Sequence, residues 1–129
     1  IFETRKNPFW TLALSKPRGI FGNNFNAQEN PEMYKAISPI YNIPNVEERK
    51  LPPQFITSAS EDRVTPVHAI EEYVKALGDA GQDATYWEYK DQRHAYLDSG
   101  KTFLSGNDFK RDAIPALKKI MNFLNSKLL

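Results

Sequence analysis

Between residues 54 and 89 the hydrophobic period of the chain changes twice, and this limits the available folds more than any other feature. QFITSA, residues 54–59, is a short apolar and β-branched run entered through Pro52-Pro53 and left through polar turn residues. That pattern predicts a strand buried in a parallel sheet. Val67, Ile70, Tyr73, Val74 and Leu77 then recur at helical spacing, with Thr65 expected as N-cap, Pro66 at the first helical position and Gly81 just past the end. ATYWEY, residues 84–89, reads as a second strand by its aromatic content. A strand, a helix and a strand of these lengths predict a right-handed crossover with parallel strands covered by helices. The fold class is therefore α/β. Two parallel strands alone would leave long unpaired edges, so the chain is expected to be part of a larger sheet and incomplete on its own.

The flanks divide the chain into two regions. Residues 1–53 hold most of the nine prolines together with NP, GN and NN pairs, and read as loops and short helices. Within them PEMYKAIS allows one or two helical turns, with Asn30 as cap and Pro31 at the first helical position. Residues 54–129 form the regular unit. After the second strand, residues 90–107 are polar and glycine-containing, hence loop. Residues 112–128 predict a final helix whose inward stripe is Ile114, Leu117, Ile120, Met121, Leu124 and Leu128, with Pro115 tolerated in the first turn.

Composition excludes several partners. Seventeen basic and sixteen acidic residues leave a formal charge of +1 with no basic stripe, so there is no footprint for a nucleic-acid backbone. No apolar stretch approaches the roughly 20 residues needed to span a bilayer. The absence of cysteine excludes a disulfide framework and a thiolate zinc site but leaves the compartment open, cytoplasmic or secreted. Nothing in the sequence calls for a cofactor. The chain begins at Ile1, and IFETRKNPFW matches neither a signal peptide nor a transit peptide.

Two side chains carry chemical promise. In open α/β sheets sites lie outside the carboxyl ends of the strands. Asp62 follows the first strand and His94 the second, so both emerge at one edge. A carboxylate bound to one imidazole nitrogen fixes the tautomer and stabilises the imidazolium, while the other nitrogen takes a proton from a serine hydroxyl. Plainer readings exist: Asp62 as a turn residue at a helix N-terminus, His94 as an exposed loop residue, Glu61 as the acid instead. His68 reads as a solvated residue of the helix's first turn, and Lys110-Arg111 and Lys118-Lys119 as solvated helix charges. A metal site from Glu61, Asp62, His68 and His94 has no ligand spacing to support it.

Residues 38–96, from ISPIYNIPNVEERKLPPQFITSASEDRVTP to DQRHAY, resemble the C-terminal third of α/β-hydrolase esterases of the acetylesterase, carboxylesterase and hormone-sensitive-lipase-like group. The resemblance rests on Ser38-Pro39, Pro52-Pro53, the Asp-x-x-x-Pro turn from Asp62 to Pro66, Ala80-Gly81, and His94-Ala95-Tyr96, where the group has His-Ala-Tyr or His-Gly-Phe. The spacing to Pro66 favours Asp62 over Glu61. The resemblance implies a serine carboxylic ester hydrolase acting on a small ester, with Asp62 as triad acid and His94 as base. By the same analogy the segment before residue 38 lines or covers the substrate pocket, with Phe9, Trp10, Phe21, Phe25 and Tyr34 as apolar wall.

The departures are equally informative. The group's nucleophile sits in Gly-x-Ser-x-Gly, and no serine here has glycines at both positions. In the chain order serine, acid, histidine, that serine and the oxyanion hole are expected upstream of Ile1, in an N-terminal remainder that would be this chain's partner. Arg93 stands where small residues often precede the histidine. Two rival readings remain: a serine peptidase of the prolyl-oligopeptidase type, whose acid and histidine segments are similar, and a non-catalytic, degenerate hydrolase or binding module.

Overall fold

The computed structural model describes residues 29–97 and 107–128. Phe9, Trp10, Phe21 and Phe25 lie outside these residues, as does more than half of the 1–53 region. The described elements are α1 (Pro31–Ile37), a 3-10 turn (Pro39–Asn42), β1 (Gln54–Ala59), α2 (Val67–Asp79), β2 (Ala84–Tyr89), a π turn (Phe109–Ala113) and α3 (Ile114–Leu128). Both strands begin and end at the residues expected from the hydrophobic pattern.

β1 and β2 are parallel, with Gln54 opposite Ala84 and Ala59 opposite Tyr89. The strand period of two then sorts the side chains between two helices. On one face, the Phe55 ring meets Phe123 of α3 at 5.4 Å between centroids. Further along the same face Ala59, Trp87 and Tyr89 gather with Tyr96 and Ala116 in one apolar cluster. On the other face Gln54 accepts a hydrogen bond from Tyr73 of α2, and Ser58 bonds the Tyr86 hydroxyl at 2.7 Å. Helices thus cover both faces, as a parallel sheet requires. The strands remain half-buried except at the buried Ser58 and Ala59 and the exposed Thr85, and among the described residues each strand keeps an unpaired edge.

α2 follows from its sequence at both ends, with one correction. The helix starts at Val67, so Pro66 rather than Thr65 takes the cap position, and no side chain caps it. Thr65 is freed for another task described below. At the other end Gly81 has φ +72°, with its N–H on the Gly78 carbonyl, while the Gln82 N–H reaches the Leu77 carbonyl at 2.9 Å. These two bonds close a Schellman turn, which explains the glycine. A Cβ at Gly81 would also stand 2.7 Å from Val46. The segment entering β1 is fastened at the same corner: the buried Gln82 amide donates to the carbonyls of Pro44 and Arg49 and accepts from the Leu51 N–H, each at 2.9 Å.

α1 forms over PEMYKAI with Pro31 in its first turn, and Asn30 holds the cap position without a side-chain cap bond. The last helix differs more from expectation. A π turn precedes it, and α3 begins at Ile114 rather than 112. Its inward face is Ala113, Ala116, Ile120 and Phe123, whereas Leu117, Met121, Leu124 and Leu128 are exposed. Ala116 lets the helix axis approach the Trp87–Tyr89 aromatic pair closely, a geometry that a leucine at that position would prevent. No described helix is long and apolar enough to cross a membrane.

Candidate active site

The carboxyl ends of the two strands are joined beyond the last ladder pair. The Ser60 N–H donates to the Tyr89 carbonyl and the Glu61 N–H to the Gln92 carbonyl, at 3.0 and 2.8 Å, while the Asp91 N–H reaches Ser60 Oγ at 2.8 Å. The loop carrying Asp62 and the loop carrying His94 are therefore one layer of backbone. Asp91 and Ala95 both take positive φ, 58° and 61°, a conformation that costs a residue bearing a Cβ about 1–2 kcal/mol. Such positions concentrate at sites whose geometry is enforced by surrounding structure. Glycine adopts this conformation freely, which is a physical reason for Ala and Gly to interchange in the His-Ala-Tyr and His-Gly-Phe patterns.

At the rim Asp62 Oδ2 and His94 Nδ1 lie 2.9 Å apart. The Asp62 side chain is 9% exposed and His94 51%. Asp62 is held from all sides: Oδ1 accepts the N–H groups of Val64 and Thr65 at 2.7 and 2.9 Å, and Oδ2 also accepts the Thr65 hydroxyl at 2.8 Å. Burial by itself raises the carboxyl pKa, but the donors from Thr65, His94 and Val64 outweigh it and leave Asp62 below the usual carboxylate range. The acid is thus kept ionised and oriented. Among the described residues Nε2 of His94 takes no hydrogen bond, so the ring is gripped on one side only.

Glu61, the neighbouring carboxylate, pairs instead with Arg93 at 3.5 Å, both side chains being exposed. His68 is exposed in the first turn of α2. Among the described residues no group of three His, Cys, Asp or Glu side chains is placed to hold a metal ion. An open cavity of about 270 Å³ lies beside the ring, with Thr57, Ala59, Ile70, Tyr96 and Leu97 as walls and Asp62 and His94 at its edge. Tyr34 is 1% exposed on α1 and does not line this cavity.

Several supporting residues escaped the sequence reading. Thr65, expected to cap α2, gives its hydroxyl to Asp62 and stands 3.4 Å from His94 Nδ1. Tyr96 is buried under the histidine loop, its hydroxyl donating to Thr57 Oγ1 at 2.9 Å and its ring edge-on to Tyr89. Arg111, expected to be a solvated charge, forks onto Asp112 through Nε and Nη2 at 2.6 Å. Asp112 is 0% exposed, and Arg111 together with the Asp108 N–H holds its carboxyl down to about 2 despite that burial. The Asp-x-x-x-Pro spacing hinted at Thr65 and the His-Ala-Tyr pattern at Tyr96, but the Thr57 partner of Tyr96 lies 39 residues away and the burial of Asp112 has no local signature.

Parallel strands with helices on both faces and an acid and a histidine at their carboxyl ends define the α/β-hydrolase class. Solved structures of Thermogutta terrifontis esterase 2 share the fold. The form phosphonylated by cyclosarin aligns at TM-score 0.50 and 20% identity over 69% of this chain and 31% of its own. The form phosphonylated by sarin aligns at TM-score 0.51 and 18% identity, over 77% and 36%, and the propionate-bound form at 0.50 and 20%, over 69% and 30%. The chain thus spans about a third of the length of the structures it matches. The model of the prolyl oligopeptidase family, Peptidase_S9, matches residues 13–128, and the chain belongs to that family. No curated protein sequence matched it.

Proposed function

We propose that this chain is the C-terminal portion of a serine carboxylic ester hydrolase, supplying Asp62 as the acid and His94 as the base of a triad whose serine lies in an N-terminal remainder. The 2.9 Å contact between Asp62 Oδ2 and His94 Nδ1 at the carboxyl ends of parallel strands is the observation that carries it. In this reading Nε2 takes the proton of the seryl hydroxyl as it attacks the ester carbonyl, and returns it to the leaving alcohol. Asp62, ionised and fixed by Thr65 and Val64, keeps the proton of the neutral ring on Nδ1 and balances the imidazolium that forms. The cavity beside the ring is the space assigned to the nucleophile's turn and the acyl group.

His94→Ala in the intact protein is expected to lower hydrolysis of p-nitrophenyl acetate by about 10³-fold or more. Near-normal turnover would refute the assignment. The isolated 129-residue chain is expected to hydrolyse the ester no faster than free imidazole, because a base with neither nucleophile nor oxyanion hole has nothing to activate.

A peptidase reading is favoured by one observation, the family match over residues 13–128. The acid and base roles would be unchanged, with serine and then water accepting the acyl group in both cases, and only the acyl group and the leaving group, an amine in place of an alcohol, differ. Comparing kcat/KM of the intact protein on a p-nitrophenyl ester and on a proline-containing peptide separates the two: a preference for the peptide would replace the esterase reading.

A further inference from the structure

Asn107 lies two residues before the π turn that leads into α3, and it is 2% exposed. Its Nδ2 donates to the backbone carbonyl of His94 at 2.9 Å, across thirteen residues of sequence. A buried side-chain amide must satisfy its donors, and here one of them is directed at a carbonyl of the histidine loop. That loop needs holding: Ala95, the residue after His94, is at φ +61°. The same stretch meets the loop a second time. The Gln92 side chain, two residues before His94, stands near enough to the Asp112 carboxylate to favour its charged form, and Asp112 accepts the Asp108 N–H at 2.8 Å. The opposite side of His94 is tied to Asp62.

We propose that Asn107 is a positioning residue for His94, its amide fixing the backbone of the left-handed turn so that the imidazole meets Asp62 and Nε2 faces the cavity. Asn107 is not among the residues that line the cavity and its bond is to the His94 backbone, so it acts through the loop and not on substrate. The kinetic arm of the test rests on the function proposed above; the spectroscopic arms do not.

Asn107→Asp keeps the side chain's size and sets a carboxylate oxygen, in place of the donor, against the His94 carbonyl. In the intact protein kcat is expected to fall about 10- to 100-fold with KM within about twofold, as for a base displaced by a fraction of an ångström. The low-field proton resonance of His94 Nδ1–H is expected to broaden or vanish, and Asn107→Ala to act in the same direction. A folded Asn107→Asp protein with wild-type kcat, or with that resonance unchanged, overturns the proposal. If neither variant folds, the unmutated protein decides: the Asn107 side-chain amide protons should exchange with solvent far more slowly than those of the exposed Asn122 and Asn125, and equal rates would overturn it. Should His94→Ala retain ester hydrolysis, the triad reading fails, while the resonance and exchange measurements still judge Asn107.

Discussion

The strand-end layer and the outer face of α3 obey opposite rules. At the strand ends the polar groups are satisfied within the chain: Asp62 has donors on both oxygens, the Glu61 and Asp91 N–H groups cross between loops, and Asp112 is buried with its charge paired. On α3, Leu117, Met121, Leu124 and Leu128 lie one to three turns apart on one side of the helix and are 40% to 78% exposed. The difference teaches where this chain is self-sufficient. Its candidate site is assembled by local turns and a few buried polar contacts, whereas its apolar surface is not all covered by what the described residues supply.

The largest expected effect attacks the assembled side. Asp62→Asn preserves the shape of the turn but presents an amide in place of the carboxylate, so the Nδ1–H tautomer is no longer favoured. Turnover in the intact protein should fall by about 10³- to 10⁴-fold with KM little changed. Retention of more than a tenth of the activity would show that the Asp62–His94 contact is structural, and the contrast between the two regions would lose its functional meaning.

Next in size is a test of the inner face of α3. Ala116 is fully buried against the Ala59–Tyr96 cluster, with Trp87 and Tyr89 beside it. Ala116→Leu should overpack that seam and cost about 1–3 kcal/mol in urea unfolding. This position also shows how much of the fold the sequence allowed. Both strands were legible to the residue, because β-branched and aromatic runs bounded by proline, glycine and polar turns leave little choice of period. Asp62 and His94 were legible as neighbours because a βαβ unit brings the ends of its strands to one edge. The facing of α3 was legible only in part, at the half-buried Ile114 and Ile120. Residue size pointed to Leu117, Met121 and Leu124, but packing against aromatic rings selected the small alanines, and nothing local to the helix reveals the rings. Asn107 was illegible for the same reason, its partner being the His94 carbonyl thirteen residues away, whereas Thr65 and Asp112 bond near neighbours whose side chains the sequence alone does not orient.

Acid should reveal the Asp112 anchor. Its carboxyl pKa is lowered from 3.8 to about 2 in the folded chain. A group depressed on folding contributes stability above its unfolded value and loses it as pH falls through the folded one. The contribution is therefore whole above about pH 5 and disappears between about pH 4 and 2. Thermal unfolding across that window should show a steeper loss in the wild type than in Asp112→Asn, which has no carboxyl to titrate there. Parallel curves would mean that the Arg111 fork is not kept in solution.

A smaller gain is expected at the turn beside the histidine. Ala95 at φ +61° bears a left-handed penalty of about 1–2 kcal/mol, while glycine costs about 0.5–1 kcal/mol in unfolded-chain entropy. Ala95→Gly should therefore stabilise by about 0.5–1 kcal/mol, and a loss of stability would contradict the conformation assigned to the loop.

The smallest effect is the one that most sharpens the contrast. Met121 is 59% exposed on the outer stripe, against full burial of Ala116 little more than one turn away. With water already on most of the side chain, Met121→Gln removes little buried area and keeps a good helix former, so the chain's unfolding free energy should change by no more than about 0.5 kcal/mol. A cost of about 2 kcal/mol or more could not come from the contacts the described residues make. It would mean that the stripe is covered in solution, and that the two faces of α3 are both interior, one to this chain and one to whatever lies against it.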